Sequence, residues 1–280
     1  MQATALDELV GYLLGLLVTA GDYALAIQPQ ISPDARAKPG HNAWASALTD
    51  ADLSVQGWFE VALLARYPTL RFFGEEHAQS LNQRYFPRTA PLSVHLDPIN
   101  ATFLYRSRRA NWDIIASVAE QGRLIAAVSY MPAHGRFFLA TRDRGALTGN
   151  RGQPQLSAMS SLATRPGSGN CLSYQTPDLN ASLAGHFACY DIVEDDDPAR
   201  GLDNLNEFYS GKLDAFACRR GEHLDWGAAA YIAVAAGGVA SDLDGRPLDL
   251  FERFDPEAQV DMIVASDAQT HARLMRALGR

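Results

Sequence analysis

The sequence predicts a mixed fold, an α+β first half followed by an α/β second half, on three observations. A long apolar segment with helical spacing opens the chain, and a series of strand-like runs follows between Leu70 and Thr141. Later residues then mix helical stretches with short apolar runs and finish on a strand and a helix. At 280 residues there is room for one large domain or two closely packed ones. An apolar share of 47% with 20% charged residues is the ordinary balance of a globular chain.

The first element is a helix over about residues 6–28, in which Leu6, Leu9, Val10, Leu13, Leu14 and Leu17 share one face. Asp7 and Glu8 stand where a secretion signal carries positive charge, and the apolar run is too short to span a bilayer. The expectation is a buried amphipathic helix in a cytoplasmic protein with no membrane partner. Residues 29–42 hold three prolines and one glycine and read as a loop. A second helix begins near Asp52, carries Val55, Phe59, Ala62 and Leu63 as its apolar stripe, and ends at Tyr67-Pro68. Strands follow over residues 70–73, at the alternating Leu92, Val94 and Leu96, and over 114–119, 124–130 and 137–141. Gly122 and Ala133-His134-Gly135 supply turns between the last three, which read as antiparallel. Beyond Leu156, residues 202–209 and 226–236 read as helical, 262–265 as the last strand, and a final helix runs through Leu278. The division expected is residues 1–155 as an N-terminal α+β subdomain and 156–280 as a C-terminal α/β subdomain.

Charge narrows the function. With 32 acidic against 24 basic side chains the net charge is −8, which excludes a broad surface for tracking nucleic-acid phosphates. A small phosphorylated substrate stays compatible, because bound metal ions supply positive charge locally. Cys171, Cys189 and Cys218 lack zinc spacing and are too scattered for a disulfide framework, so they read as reduced thiols. The run Glu194-Asp195-Asp196-Asp197 reads as a solvated loop. The glycosylation-like triplets Asn100-Ala101-Thr102 and Asn180-Ala181-Ser182 read as coincidence without a secretory signal.

Four acidic positions stand at element ends, where side chains from distant segments can share a cleft: Asp52, Glu75-Glu76, Asp97 and Asp225. Hard divalent cations take oxygen ligands of this kind. Each taken singly is more simply a capping or surface carboxylate.

The segments around them resemble the inositol monophosphatase family. Phe72-Phe73-Gly74-Glu75-Glu76, then Asp97-Pro98-Ile99-Asn100-Ala101-Thr102, then Leu224-Asp225-Trp226-Gly227-Ala228-Ala229 with Gly237-Gly238-Val239 are similar to that family's motifs in order and spacing. Gly211-Lys212-Leu213-Asp214-Ala215-Phe216 and Asp242-Leu243-Asp244-Gly245-Arg246-Pro247 extend the likeness over nearly the whole chain. The resemblance implies a layered αβαβα sugar-phosphatase-like fold of two tightly packed subdomains, a Mg²⁺-dependent phosphomonoesterase activity and a homodimer. It assigns Glu75, Asp97 and the Ile99 carbonyl to a first Mg²⁺, Asp97, Asn100 and Asp225 to a second, and Glu76 to a weaker third. Asp52 and Thr102 would together deprotonate the attacking water, with Glu75 also at the catalytic centre, and the backbone of Ala101 and Thr102 would hold the phosphate.

The sequence departs from the family pattern at several points. Asn100 stands where the family has a second aspartate; its amide oxygen can coordinate but carries no charge, so weaker binding of the second ion is expected. Ala101 replaces a glycine, which penalises positive φ. Leu224 replaces a tryptophan, with Trp226 two residues on as the candidate to fill similar volume. His41 lies where the family often has a loop lysine, and Arg219 and Arg220 are candidates to contact a second anionic group on the substrate. The leading expectation is hydrolysis of a small polyol, sugar or nucleotide phosphate. The alternative is an impaired or non-hydrolytic relative that binds a phosphorylated ligand or a protein partner.

Overall fold

The structure, a computed structural model, describes residues 1–32, 38, 40, 43–44, 46–195, 197–249 and 251–280. Helices α1 (Ala3–Ile27) and α2 (Asp50–Arg66) lead into β1 (Arg71–Gly74), β2 (Leu92–Asn100) and the short helix α3 (Thr102–Arg106). Strands β3 (Asp113–Glu120), β4 (Arg123–Met131), β5 (Arg136–Thr141), β6 (Gly145–Asn150) and β7 (Ser160–Ser161) complete a seven-stranded sheet whose spatial order follows the sequence. Its β1–β2 pair is parallel and every later pair is antiparallel. The second half comprises β8 (Asn170–Tyr174), α4 (Pro177–Leu183), β9 (Ala188–Asp191), β10 (Ala215–Glu222), α5 (Ala228–Ala235), β11 (Val239–Ser241), β12 (Gln259–Ala265) and α6 (Ala268–Ala277). Its five strands run in the order β11-β12-β10-β8-β9, with β8 parallel to both β9 and β10.

Alternation along the strands builds three stacked cores, because successive side chains point to opposite faces of a sheet. Ile114, Ala116 and Val118 of β3, with Phe137 and Leu139 of β5, face α1 and α2. Ile115, Phe138 and Ala140 face the other way, onto α5. From the far side, Phe216 and Cys218 of β10 and Met262 and Val264 of β12 meet that same helix. Ala215, Ala217, Ile263 and Ala265 turn outward beneath Leu183 and α6. The order helix, sheet, helix, sheet, helix follows, so the layered αβαβα fold is the observed one.

Helix α1 is long and apolar enough to cross a membrane by length and composition. Its face of Leu6, Leu9, Val10, Leu13, Leu14 and Leu17 is nevertheless buried within the first core, as the spacing predicts. Two expectations for the second half change. Residues 202–209 form only a 3₁₀ turn at Leu205–Glu207, because the Asn204 side chain accepts the Asn206 N–H at 2.8 Å and closes the turn locally. Residues 226–236 begin inside a π-turn at His223–Gly227 before α5 starts at Ala228. That turn is where Asp225 sits. β6 and β7 are additions the sequence pattern did not signal.

Candidate active site

The main cleft, about 470 Å³, opens where the ends of β1 and β2 meet the π-turn between the two sheets. Glu75, Asp97, Ile99, Asn100, Ala101, Thr102, Asp225 and Arg220 all line it. Residues 75, 97 and 225, distant in sequence, are therefore neighbours. Glu75 follows β1 directly, and its N–H donates to the Leu96 carbonyl at 2.9 Å, which ties it beside β2. The Asp97 carboxylate accepts the Ile99 N–H at 3.1 Å, beside a break in β2–β3 register between Asp97 and Asn100.

Asp52 has two tasks, one for each oxygen. It is the third residue of α2, and its Oδ2 accepts the Thr49 N–H at 2.8 Å, closing a capping box. Its Oδ1 faces the Thr102 hydroxyl at 3.1 Å, and that hydroxyl also lies 2.8 Å from the Ile99 carbonyl. Burial raises the Asp52 carboxyl to about 7 against the hydrogen bonds from Thr49, with the Glu75 and Glu76 charges adding to the rise.

The electrostatics of the cleft favour a cation. Burial pushes Asp97 well above the carboxylate range, and Glu75 and Asp225 raise it further. Burial likewise raises Asp225, with the Glu222 and Glu75 charges behind it. Lys38 donates to Glu75 and, at 2.6 Å, to Glu76; against burial, those two carboxylates hold its ammonium far above the ordinary lysine range. Among the described residues no three His, Cys, Asp or Glu side chains are already gathered at metal-ligating distance. The donor set nonetheless fits Mg²⁺. Its members are carboxylate, carbonyl and amide oxygens, the ligands that hard cations take, although His77 also brings an imidazole to the cleft lining.

The remaining predicted residues divide. Glu76 is 2% exposed, does not line the cleft, and is fixed by Lys38 and by its N–H to Gln56 Oε1 at 2.9 Å. Ala101 takes up φ 63° and ψ 47°, the left-handed region its Cβ disfavours, immediately before α3. Trp226, 6% exposed, stacks on Tyr174 at 5.8 Å and lines the wall beside Leu224. Arg220 reaches the cleft, whereas Arg219 is taken up by Asp178 at 2.6 Å and Asp261 at 3.6 Å and does not line it. The irregular β10–β12 register between Cys218 and Gly221 sends the two arginines in different directions. Of the two arginines expected near the substrate, Arg220 is the one on the cleft wall. His41 lies outside the described residues, and Lys38 is the residue that brings a loop ammonium to the glutamates.

Three contributors escaped sequence reasoning. Lys38 sits in a segment without periodicity. Glu222 lines the cleft beside Asp225, next to the two arginines that drew attention instead. Asp113 lies behind Asn100 and accepts its amide N–H at 2.9 Å. A charged residue opening an otherwise apolar strand was the available signal.

The stacked fold with its acidic cleft is that of a family of phosphoric monoester hydrolases. The family model for the inositol monophosphatase family matches residues 24–280, and the chain belongs to that family. Among solved structures, the extragenic suppressor protein suhB from Bartonella henselae is 17% identical with a TM-score of 0.72, covering 98% of this chain and 99% of its own. The Thermotoga maritima IMPase is 15% identical with a TM-score of 0.72, at 96% and 97% coverage. An IMPase/NADP phosphatase complexed with Mg²⁺ and phosphate is 17% identical with a TM-score of 0.66, at 92% and 91% coverage. At such identities the likeness is one of fold. No curated protein sequence matches the chain significantly.

Proposed function

We propose that the chain is a Mg²⁺-dependent phosphomonoesterase acting on a small polyol, sugar or nucleotide phosphate. The observation that carries this reading is the meeting of Glu75, Asp97 and Asp225 in one cleft beside the Asp52–Thr102 pair. Glu75, Asp97 and the Ile99 carbonyl would hold one ion, Asp97, Asn100 and Asp225 a second, and Glu76 a weaker third in competition with Lys38. Bound there, Mg²⁺ supplies Lewis acidity toward phosphate and water. The Thr102 hydroxyl takes a proton from the attacking water and passes its own to Asp52 Oδ1, 3.1 Å away. Arg220 and the Tyr174–Trp226 pair give the substrate's remainder a cation and an aromatic wall. The crystallised staphylococcal IMPase-II with 2′AMP or inositol monophosphate suggests both ligand types for the panel below.

Release of inorganic phosphate from inositol monophosphate, sugar phosphates and nucleoside monophosphates, with and without Mg²⁺, tests the reading. Mg²⁺-dependent turnover of at least one ester is expected; none across the panel overturns it. A non-hydrolytic binding role is favoured by Asn100 and by the left-handed Ala101, and it predicts ligand binding on the same panel without turnover.

A pH dependence also follows. Asp52 accepts a proton only when ionised, and its carboxyl stands near 7. As pH falls through that value kcat/KM should drop about tenfold per unit, the slope of one lost base. Added Mg²⁺ should move this limb to lower pH by offsetting the Glu75 and Glu76 charges. In Asp52→Asn the limb should vanish along with most of the activity. A limb that persists in the variant assigns the base elsewhere.

A further inference from the structure

The geometry points to Asp113 as a positioning residue that turns the Asn100 carbonyl oxygen toward the cleft and makes it a fixed ligand face. The inference rests on the metal-phosphatase reading above. Asp113 opens β3, is 1% exposed, and is the register partner of Asn100 just past the irregularity in β2. Its hydrogen-bond donors are neutral: Asn100 Nδ2 at 2.9 Å, Asn204 Nδ2 at 2.9 Å and Ser129 Oγ at 2.6 Å. Burying a carboxylate among neutral donors is unfavourable compared with pairing it to a cation, so its place calls for a reason. The cleft supplies one, because a cation held there would draw on Asn100, which lines it.

The direction of the amide follows from elementary chemistry. An ionised carboxylate only accepts hydrogen bonds. Asp113 therefore binds the NH₂ end of Asn100 and repels the C=O end, which settles which way the amide points. With Nδ2 held behind the cleft wall, Oδ1 is the end left for the cleft that Asn100 lines. The acceptor is itself fixed. Asn204 also reaches the Asn111 carbonyl at 3.2 Å, its Oδ1 takes the Asn206 N–H at 2.8 Å, and Ser129 lies 2.9 Å from Asn206 Oδ1. Carboxylates behind a neutral ligand raise its donor strength and fix its orientation. One negative charge thus stands behind position 100 rather than at it. An aspartate at 100 would set two carboxylates at hydrogen-bond distance inside a buried wall, so these two positions accommodate one carboxylate between them.

The test uses the full chain as wild type, Asn100→Asp, Asp113→Asn and the double exchange Asn100→Asp/Asp113→Asn. Metal-free thermal melts at pH 8 should show Asn100→Asp destabilised and the double exchange recovering most of that loss. Mn²⁺ titration followed by electron paramagnetic resonance supplies a readout that a purely structural role would not move. In Asp113→Asn the weaker of two Mn²⁺ sites should lose about tenfold or more in affinity, with the stronger site unchanged. The double exchange should restore the weaker site. Additive melts, or an Asp113→Asn that weakens both sites equally or neither, overturn the inference while leaving the phosphatase reading intact. A wild type that binds no Mn²⁺ overturns both; coupling in the metal-free melts would still register the contact between the two residues.

Discussion

Asp97→Asn is expected to lower Mg²⁺-dependent phosphate release by on the order of a thousandfold, the scale of removing one charged transition-state contact. Asp97 is the ligand common to both proposed ion positions, so no neighbour substitutes for it. Its effect on stability should run the other way. The side chain is 5% exposed, and burial together with Glu75 and Asp225 holds its carboxyl well above the usual range. A carboxyl raised in the folded state favours folding when protonated, and that contribution is lost as pH rises through the folded pKa. At alkaline pH the wild-type protein carries an uncompensated charge that asparagine lacks, while the asparagine oxygen can still accept the Ile99 N–H. Metal-free Asp97→Asn should therefore melt no lower than wild type at pH 8. Addition of Mg²⁺ should raise the wild-type melting temperature through ligand linkage and leave the variant unmoved. A variant that keeps both turnover and the Mg²⁺ shift would remove Asp97 from the site.

Gly74→Ala should lower stability by about 3 kcal/mol, the sum of an overpacking term and a broken buried hydrogen bond. An added Cβ at Gly74 would meet Gln56 Oε1 at 2.2 Å and Cδ at 2.3 Å. Gln56 is no loose chain end. It is 2% exposed, accepts the Glu76 N–H at 2.9 Å, and donates to Glu60 Oε1 at 3.0 Å. Glu60 in turn holds Ser80 at 2.5 Å and Asn82 at 3.1 Å. Either Gln56 withdraws and orphans the Glu76 N–H, or β1 moves off α2 and carries Glu75 with it. Both routes disturb the cleft, so the Mg²⁺-induced rise in melting temperature should shrink along with the stability. Denaturant unfolding and Mg²⁺ titration of the same variant check the two effects. A loss below about 1 kcal/mol, the range of tolerated core swaps, would show that the Gln56 network yields easily.

Much of this was legible in the residues. The leucine spacing of α1 and the alternation through β3, β4 and β5 are local periodicities, and burial on the predicted faces preserved them. The acidic ends of β1, β2 and the π-turn stood out because motif order survives even where fold neighbours share few residues. Partners set by long-range packing stayed hidden. Lys38 reaches the glutamates from a segment with no period, and Asp113 meets Asn100 only because β2 and β3 pair in one register. Residues 202–209 misled because their apolar spacing suits a helix, while Asn204 and Asn206 spend their side chains on turn closure and on the Asp113 network. Neighbouring Arg219 and Arg220 looked equivalent until an irregular strand register separated them.

The alanine-rich helix α5 has a consequence for how this chain can change over evolution. Ala230 and Ala233 are fully buried and Ala228 and Ala229 nearly so, in a layer touched by a sheet on either side. Methyl-sized side chains set the spacing of two walls at once, so an enlargement there has no free direction in which to relax. Sequence drift should be slowest along this spacer although it carries no reacting group. The two halves are thereby constrained to vary in concert, like two boards glued to one thin shim.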